Sequence, residues 1–183
     1  VGKDSLSMRT AWEDAGEKKQ VVSPLSLIIS SFAPVQDASR TLTPQLRLDA
    51  GETDLLLIDL GAGKNRLGGS ALAQVFNTTG SVVPDVDESA LLPAFFYAVQ
   101  KLAADNLILA YHDRGDGGLF ATVGEMAFAA HCGVSVDVDA LCDGSPAGVV
   151  AALFAEELGA VLQIRRADRT RVMTQLRDAG VHG

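Results

Sequence analysis

The sequence has 183 residues, 48% of them hydrophobic, and its 15 Lys/Arg against 23 Asp/Glu leave a formal net charge of −8. That is enough apolar material for one ordinary domain with a core, and it excludes a disordered chain, which needs low hydrophobicity and high charge. The densest basic stretch, Arg165, Arg166, Arg169 and Arg171, is diluted by Asp168, and no apolar run reaches the roughly 20 residues of a membrane span; neither a nucleic acid nor a membrane is expected as a partner.

In chain order, residues 1–20 are polar and irregular, with Gly16 beside the charged run 17–19, and read as a leading segment ending in a loop or hairpin tip. Residues 25–35 are apolar and read as a buried strand. A polar connection (41–52) with Pro44 and Gly51 leads to a second buried strand at 55–60. A glycine-rich loop (61–69) follows, then a helix over about 70–77. Leu91, Leu92, Phe95, Val99, Leu102 and Ala103 recur at helical spacing, and Pro93 is tolerated in the first turn of that helix. Residues 107–111 read as a third strand. Leu119, Val123, Met126, Ala127 and Ala130 mark one face of the next helix. The spacing then predicts a strand over 134–138, a helix over 147–158, a strand over 160–164, and a last helix capped by Asp168 and ending near Ala179. Strands alternating with helices define an α/β (layered α+β) class, a mixed β-sheet covered by helices. The first 20 residues differ in character from the rest, so the expected division is 1–20 as the end of a preceding domain and 21–183 as a domain of its own.

Cys132 and Cys142 form no CxxC and exclude a cysteine-only zinc site; two ordinary thiols imply a reducing, cytoplasmic setting, with a disulfide between them left open. The chain begins at Val1 and stops at Gly183 without a natural boundary, and reads as a piece of something longer.

The strongest local signal is Tyr111-His112-Asp113-Arg114-Gly115-Asp116-Gly117-Gly118, at the junction of a buried strand and a helix. Ligand sites form at such strand ends. Asp113 and Asp116 offer hard oxygens for magnesium, glycines permit close backbone approach, and a helix N-terminus favours phosphate. Turn chemistry explains the same residues: Asp116 as N-cap, Gly117-Gly118 as the turn, Asp113 paired with Arg114 or another base, and His112 hydrogen-bonded to its neighbour Asp113. A second junction, residues 61–70, matches neither a Walker A loop nor a dinucleotide loop. It reads either as a loop near phosphate with Lys64 or Arg66 as point charges, or as a connection capped by Ser70. The polar heptad at 2–8 (GKDSLSM) reads either as a ligand-facing segment or as a solvated strand edge. His112, His131 and His182 share no metal-ligand spacing.

Taken together, GKDSLSM (2–8), SPLSLIISSFAPV (23–35), LTPQL (42–46), LLLIDLG with NRLGGSALAQVF (55–76), LILAYHDRGDGGLFATVGEMAFAAHCGV (107–134) and FAEELGAVLQI (154–164) resemble phosphoribosylformylglycinamidine (FGAM) synthase of the large, single-chain type. The resemblance runs through essentially the whole chain. It implies the fold of the C-terminal domain of aminoimidazole ribonucleotide (AIR) synthase, in the second of two tandem synthetase halves. It implies an ATP- and glutamine-dependent carbon–nitrogen ligase of purine biosynthesis. Its partners within the same polypeptide would be an upstream synthetase domain and a downstream glutaminase domain. It further implies an auxiliary site for ATP or ADP with Mg2+, in which Asp113 is the metal ligand and Gly115 stands where the family carries a nucleotide-contacting serine. No catalytic residue is assigned to this stretch.

Overall fold

The computed structural model describes residues 9–22, 30–35 and 37–181. The heptad at 2–8, the first part of the strand expected at 25–35, and His182 lie outside the described residues. Residues 30–35, which belong to the same expected strand, are irregular. The chain divides into two compact units, Val1–Ser39 and Arg40–Gly183.

The first unit contains an antiparallel hairpin, β1 (Arg9–Asp14) and β2 (Glu17–Val22), closed by Ala15-Gly16. Both turn residues have positive φ, 51° and 83°. That is the two-residue turn whose twist matches the strands it joins, and it realises the hairpin tip read from Gly16. Lys19 and Asp14 pair across the hairpin end at 2.5 Å.

The second unit is built on a three-stranded sheet of β3 (Thr53–Asp59), β4 (Ala110–Asp113) and β5 (Gly159–Arg165) in the order β3-β5-β4. Both ladders are antiparallel, so β3 and β4 run in the same direction on either side of β5. Over 160–164 β5 is buried on both faces, and apolar except for Gln163. Leu162 and Ile164 join Leu56 and Ile58 under α2 (Leu91–Ala104) and α5 (Arg169–Asp178), where Val99, Leu102, Val172 and Leu176 complete the cluster. On the other face Val161, Leu55 and Leu57 pack with Leu119 and Met126 of α3 (Gly118–Ala130). α4 (Pro146–Phe154) lies against α3, its Phe154 ring 5.3 Å from that of Phe120. A short helix, α1 (Ala71–Val75), follows the glycine-rich loop. The layered class expected from the sequence is the class observed.

Polar ties orient the layers. The buried amide of Gln163 accepts from Arg47 N–H at 2.7 Å and donates to Arg47 O at 3.1 Å, fastening the 42–48 segment to the sheet. Asp105 accepts from Arg171 and Gln175, joining the end of α2 to α5, and Arg40 donates to the carbonyls of Ala103 and Ala104 in the last turn of α2.

Three local expectations are corrected. Residues 134–138 form no strand. Residues 134–137 line a cleft of about 630 Å³ together with Asp54, Leu55 and Leu56, and period-two alternation without a paired neighbour is not a strand. The helix expected over 147–158 stops at Phe154, because residues 155–158 are drawn into contacts with two loops described below. Asp168 occupies the N-cap position of α5 without a capping bond; a 3-10 turn, Arg166–Asp168, runs straight into the helix and leaves that residue with helical dihedrals. Cys132 and Cys142 are both free thiols. Among the described residues, no helix is long and apolar enough to cross a membrane.

Leu102 is fully buried and Phe128 is 82% exposed. Leu102→Ala is expected to lower unfolding stability by about 2–5 kcal/mol. Phe128→Ala should stay within about 0.5 kcal/mol. Urea denaturation of the two variants checks both values.

Candidate functional site

Because β3 and β4 run in the same direction, both strand-to-helix connections emerge at one end of the sheet. The start of antiparallel β5 lies at that end too. The 61–70 loop, the 114–117 turn and the 155–159 segment therefore meet there. Ion pairs hold them together. Arg114 is 5% exposed. Its Nε donates to Glu157 O at 2.5 Å, and one terminal nitrogen donates to Leu158 O at 3.0 Å and to Asp59 at the end of β3. The Glu157 carboxylate, fully buried, accepts from Arg66 three times: backbone N–H at 2.9 Å, Nε at 2.7 Å and a terminal nitrogen at 2.7 Å. Gly61 is required beside it, since a Cβ there would lie 2.6 Å from a Glu157 carboxylate oxygen. Gly118 is equally constrained: its φ is +67° and a Cβ would lie 2.7 Å from Leu153 O.

The electrostatics follow from these contacts. Burial alone would raise the Asp59 carboxyl. The Gly63 N–H, the Arg114 guanidinium and the Gly61 N–H outweigh it and hold the group below the ordinary carboxylate value. Hydrogen bonding to Glu157 raises the Arg66 guanidinium above its already high ordinary value, and Lys64 leads the groups that lower Asp87.

Asp113 sits at the exposed end of β4, and Tyr111 Oη donates to its Oδ1 at 2.5 Å. Burial, reinforced by that hydrogen bond, pushes the Tyr111 phenol well up. Gly115 and Asp116 are exposed next to it, and nothing lies within 4 Å of a Cβ built on Gly115.

Several pairings suggested by the sequence are replaced. Arg114 joins Asp59 rather than Asp113. His112 bonds Glu125 of α3 at 2.6 Å rather than Asp113, because neighbours on a strand point to opposite faces. The N-cap of α3 is Gly117 (φ 82°), not Asp116. Lys64 and Arg66 are not loose charges for a phosphate: Lys64 pairs with Asp87 at 2.9 Å, and Arg66 is divided between Glu157 and Asp87. The Gly117 N–H is likewise taken, by Glu156 at 2.8 Å. Ser70 does cap α1, accepting from Ala73 N–H at 3.2 Å. Asp59, Glu156 and Glu157 were not singled out from the sequence. The available signal was a pair of acids set between an apolar helix and an apolar strand, where only paired charges survive burial.

No three His, Cys, Asp or Glu side chains among the described residues converge on a point that could hold a metal ion. Asp113 is a single carboxylate with one oxygen engaged. Magnesium demands near-octahedral oxygen coordination, so the described residues by themselves do not fit the ion.

A helix-covered sheet with its loops gathered at one end defines a layered α/β (α+β) class. Residues 54–182 match the family described as AIR synthase related protein, C-terminal domain. That is well over half of the sequence, and the chain belongs to this family. Residues 1–34 match the FGAR-AT PurM_N-like domain. The two matches make the protein an AIR-synthase-like chain related to FGAM synthase, within the PurM-like ligase and synthase superfamily.

Asp59→Asn removes the charge that Arg114 faces and should cost about 1.5–3 kcal/mol at neutral pH. The lowered Asp59 value means that its contribution is present above the unfolded-state value of about 3.9 and is lost as pH falls through the folded-state value. The stability gap between wild type and variant is therefore expected to narrow only below about pH 4. Denaturation curves across the acid range check this.

Proposed function

We propose that the chain is part of a large, single-chain FGAM synthase, the ligase that converts formylglycinamide ribonucleotide and glutamine to the amidine at the expense of ATP. The observation that carries this reading is the order of the two family matches, an FGAR-AT-type leading domain on 1–34 followed by the AIR synthase related C-terminal domain on 54–182. In that enzyme ATP activates the amide oxygen of the substrate, and ammonia from glutamine displaces it. On this reading the chain carries the end of a leading domain and the C-terminal domain of the second synthetase half. It contributes Asp113 as one ligand of an auxiliary Mg2+–nucleotide site and Gly115 as a backbone neighbour of the nucleotide. The remaining metal ligands would come from the upstream domain, which accounts for the lone carboxylate. A glutaminase domain would lie downstream, and the cytoplasm would be the setting. The isolated chain would be inactive.

A second reading, a packing domain that binds no ligand, draws on a specific observation: one oxygen of Asp113 is engaged by Tyr111, and among the described residues no group of three His, Cys, Asp or Glu side chains forms that could hold a metal ion.

In a polypeptide that includes the preceding domain, Asp113→Ala is expected to weaken Mg·ADP binding by about tenfold or more. Gly115→Ser should strengthen binding with Tm unchanged, since the added side chain meets open space. Titrations read at the amides of residues 113–118 check both variants. A wild-type polypeptide that takes no Mg·ADP would favour the packing domain. Nucleotide hydrolysis dependent on formylglycinamide ribonucleotide and glutamine tests the ligase itself.

A further inference from the structure

Two hydrogen bonds that meet on one atom carry the inference. Glu156 Oε1 accepts from Ala71 N–H at 2.8 Å and from Gly117 N–H at 2.8 Å. Ala71 is the first residue of α1, and Gly117 is the residue before α3. Backbone donors at a helix start have no partner within the helix and must be met from outside. At α1 the Ser70 hydroxyl meets Ala73, and Glu156 meets Ala71. At α3 the N-cap glycine has no side chain, and Glu156 comes from another segment to accept its N–H. One carboxylate thus closes the 61–70 loop and the turn after Asp113 together, with its charge at the positive end of α3. Its own place is fixed from both sides, by Ala155 and Glu157, each fully buried.

The geometry points to Glu156 as a positioning residue that couples the two loops and sets the orientation of the turn bearing Asp113 and Gly115. It acts through Gly117 and needs no contact with a ligand. Its effect on nucleotide binding rests on the reading of Asp113 proposed above; the coupling itself does not.

The test uses backbone amide exchange in this chain and Mg·ADP titration of the polypeptide that includes the preceding domain. Glu156→Ala leaves two donors without an acceptor, and Ala71 and Gly117 are both expected to exchange about tenfold faster. Mg·ADP affinity is expected to fall by about the same factor. Glu156→Gln keeps a carbonyl oxygen in place and should restore both readouts, which a role in bulk stability alone would not explain. Faster exchange at only one amide overturns the coupling. Unchanged affinity in a Glu156→Ala protein whose two amides have loosened overturns the positioning role. Should Glu156→Ala not fold, Ala71→Pro removes one donor at a position proline tolerates, since Ser70 is already extended (φ −63°, ψ 158°). Faster exchange of Gly117 is then expected, and no change there overturns the coupling. Failure of wild type to take Mg·ADP would overturn the reading of Asp113, and the exchange measurements would still decide the coupling.

Discussion

The burial of two charges, Glu157 and Arg114, is the constraint on which this end of the molecule depends. Glu157 lies fully inside the protein and Arg114 nearly so. A buried charge without a partner costs several kcal/mol, so each must be met by an opposite charge and by hydrogen bonds on its remaining positions. Arg66 does this for Glu157, and Asp59 with the carbonyls of Glu157 and Leu158 does it for Arg114. Because the partners come from β3, the glycine-rich loop, the turn after β4 and the start of β5, satisfying these charges fixes four separate chain segments to one another. Such pairs add little net stability over an apolar core. Their effect here is specificity of arrangement: a shift of either loop strands a charge.

The same accounting shapes what this surface can offer a ligand. Lys64 and Arg66 are paired with acids, and the Gly117 N–H is spoken for. What remains presented at the strand end are the carboxylates Asp113 and Asp116, on a chain with net charge −8. On the reading proposed above, an anionic ligand would approach Asp113 through a cation, and further oxygen ligands would have to come from elsewhere. The open space beside Gly115 suits either a small side chain or a close ligand, whereas Gly118 and Gly61 admit neither, since backbone or a buried carboxylate already occupies the position.

Much of the layered architecture was legible in order. The largely apolar runs at 55–60 and 160–164 mark strands, because a strand covered on both faces carries few polar side chains, and those it has, Asp59 and Gln163, are hydrogen-bonded. The helical spacing of Leu91, Val99 and Leu102 marks a helix because only one stripe meets the sheet. Local pattern failed where a tertiary partner decides. Residues 134–138 alternate like a strand, but 134–137 line a cleft. Residues 155–158 have helix-compatible side chains, yet leave the helix for the contacts of Glu156 and Glu157 with the two loops.

By itself, the sequence determined the class of fold, the strand-to-helix junctions and the glycines at them, because periodicity and turn chemistry are properties of neighbouring residues. It placed Asp113 and Gly115 at one strand-to-helix junction for the same reason. Only the tertiary structure decided which charges meet. Asp59 and Arg114, Arg66 and Glu157, and Glu156 with its two amides come from segments far apart in the chain. Their pairing depends on β3 and β4 flanking β5 in the same direction, which no local pattern encodes.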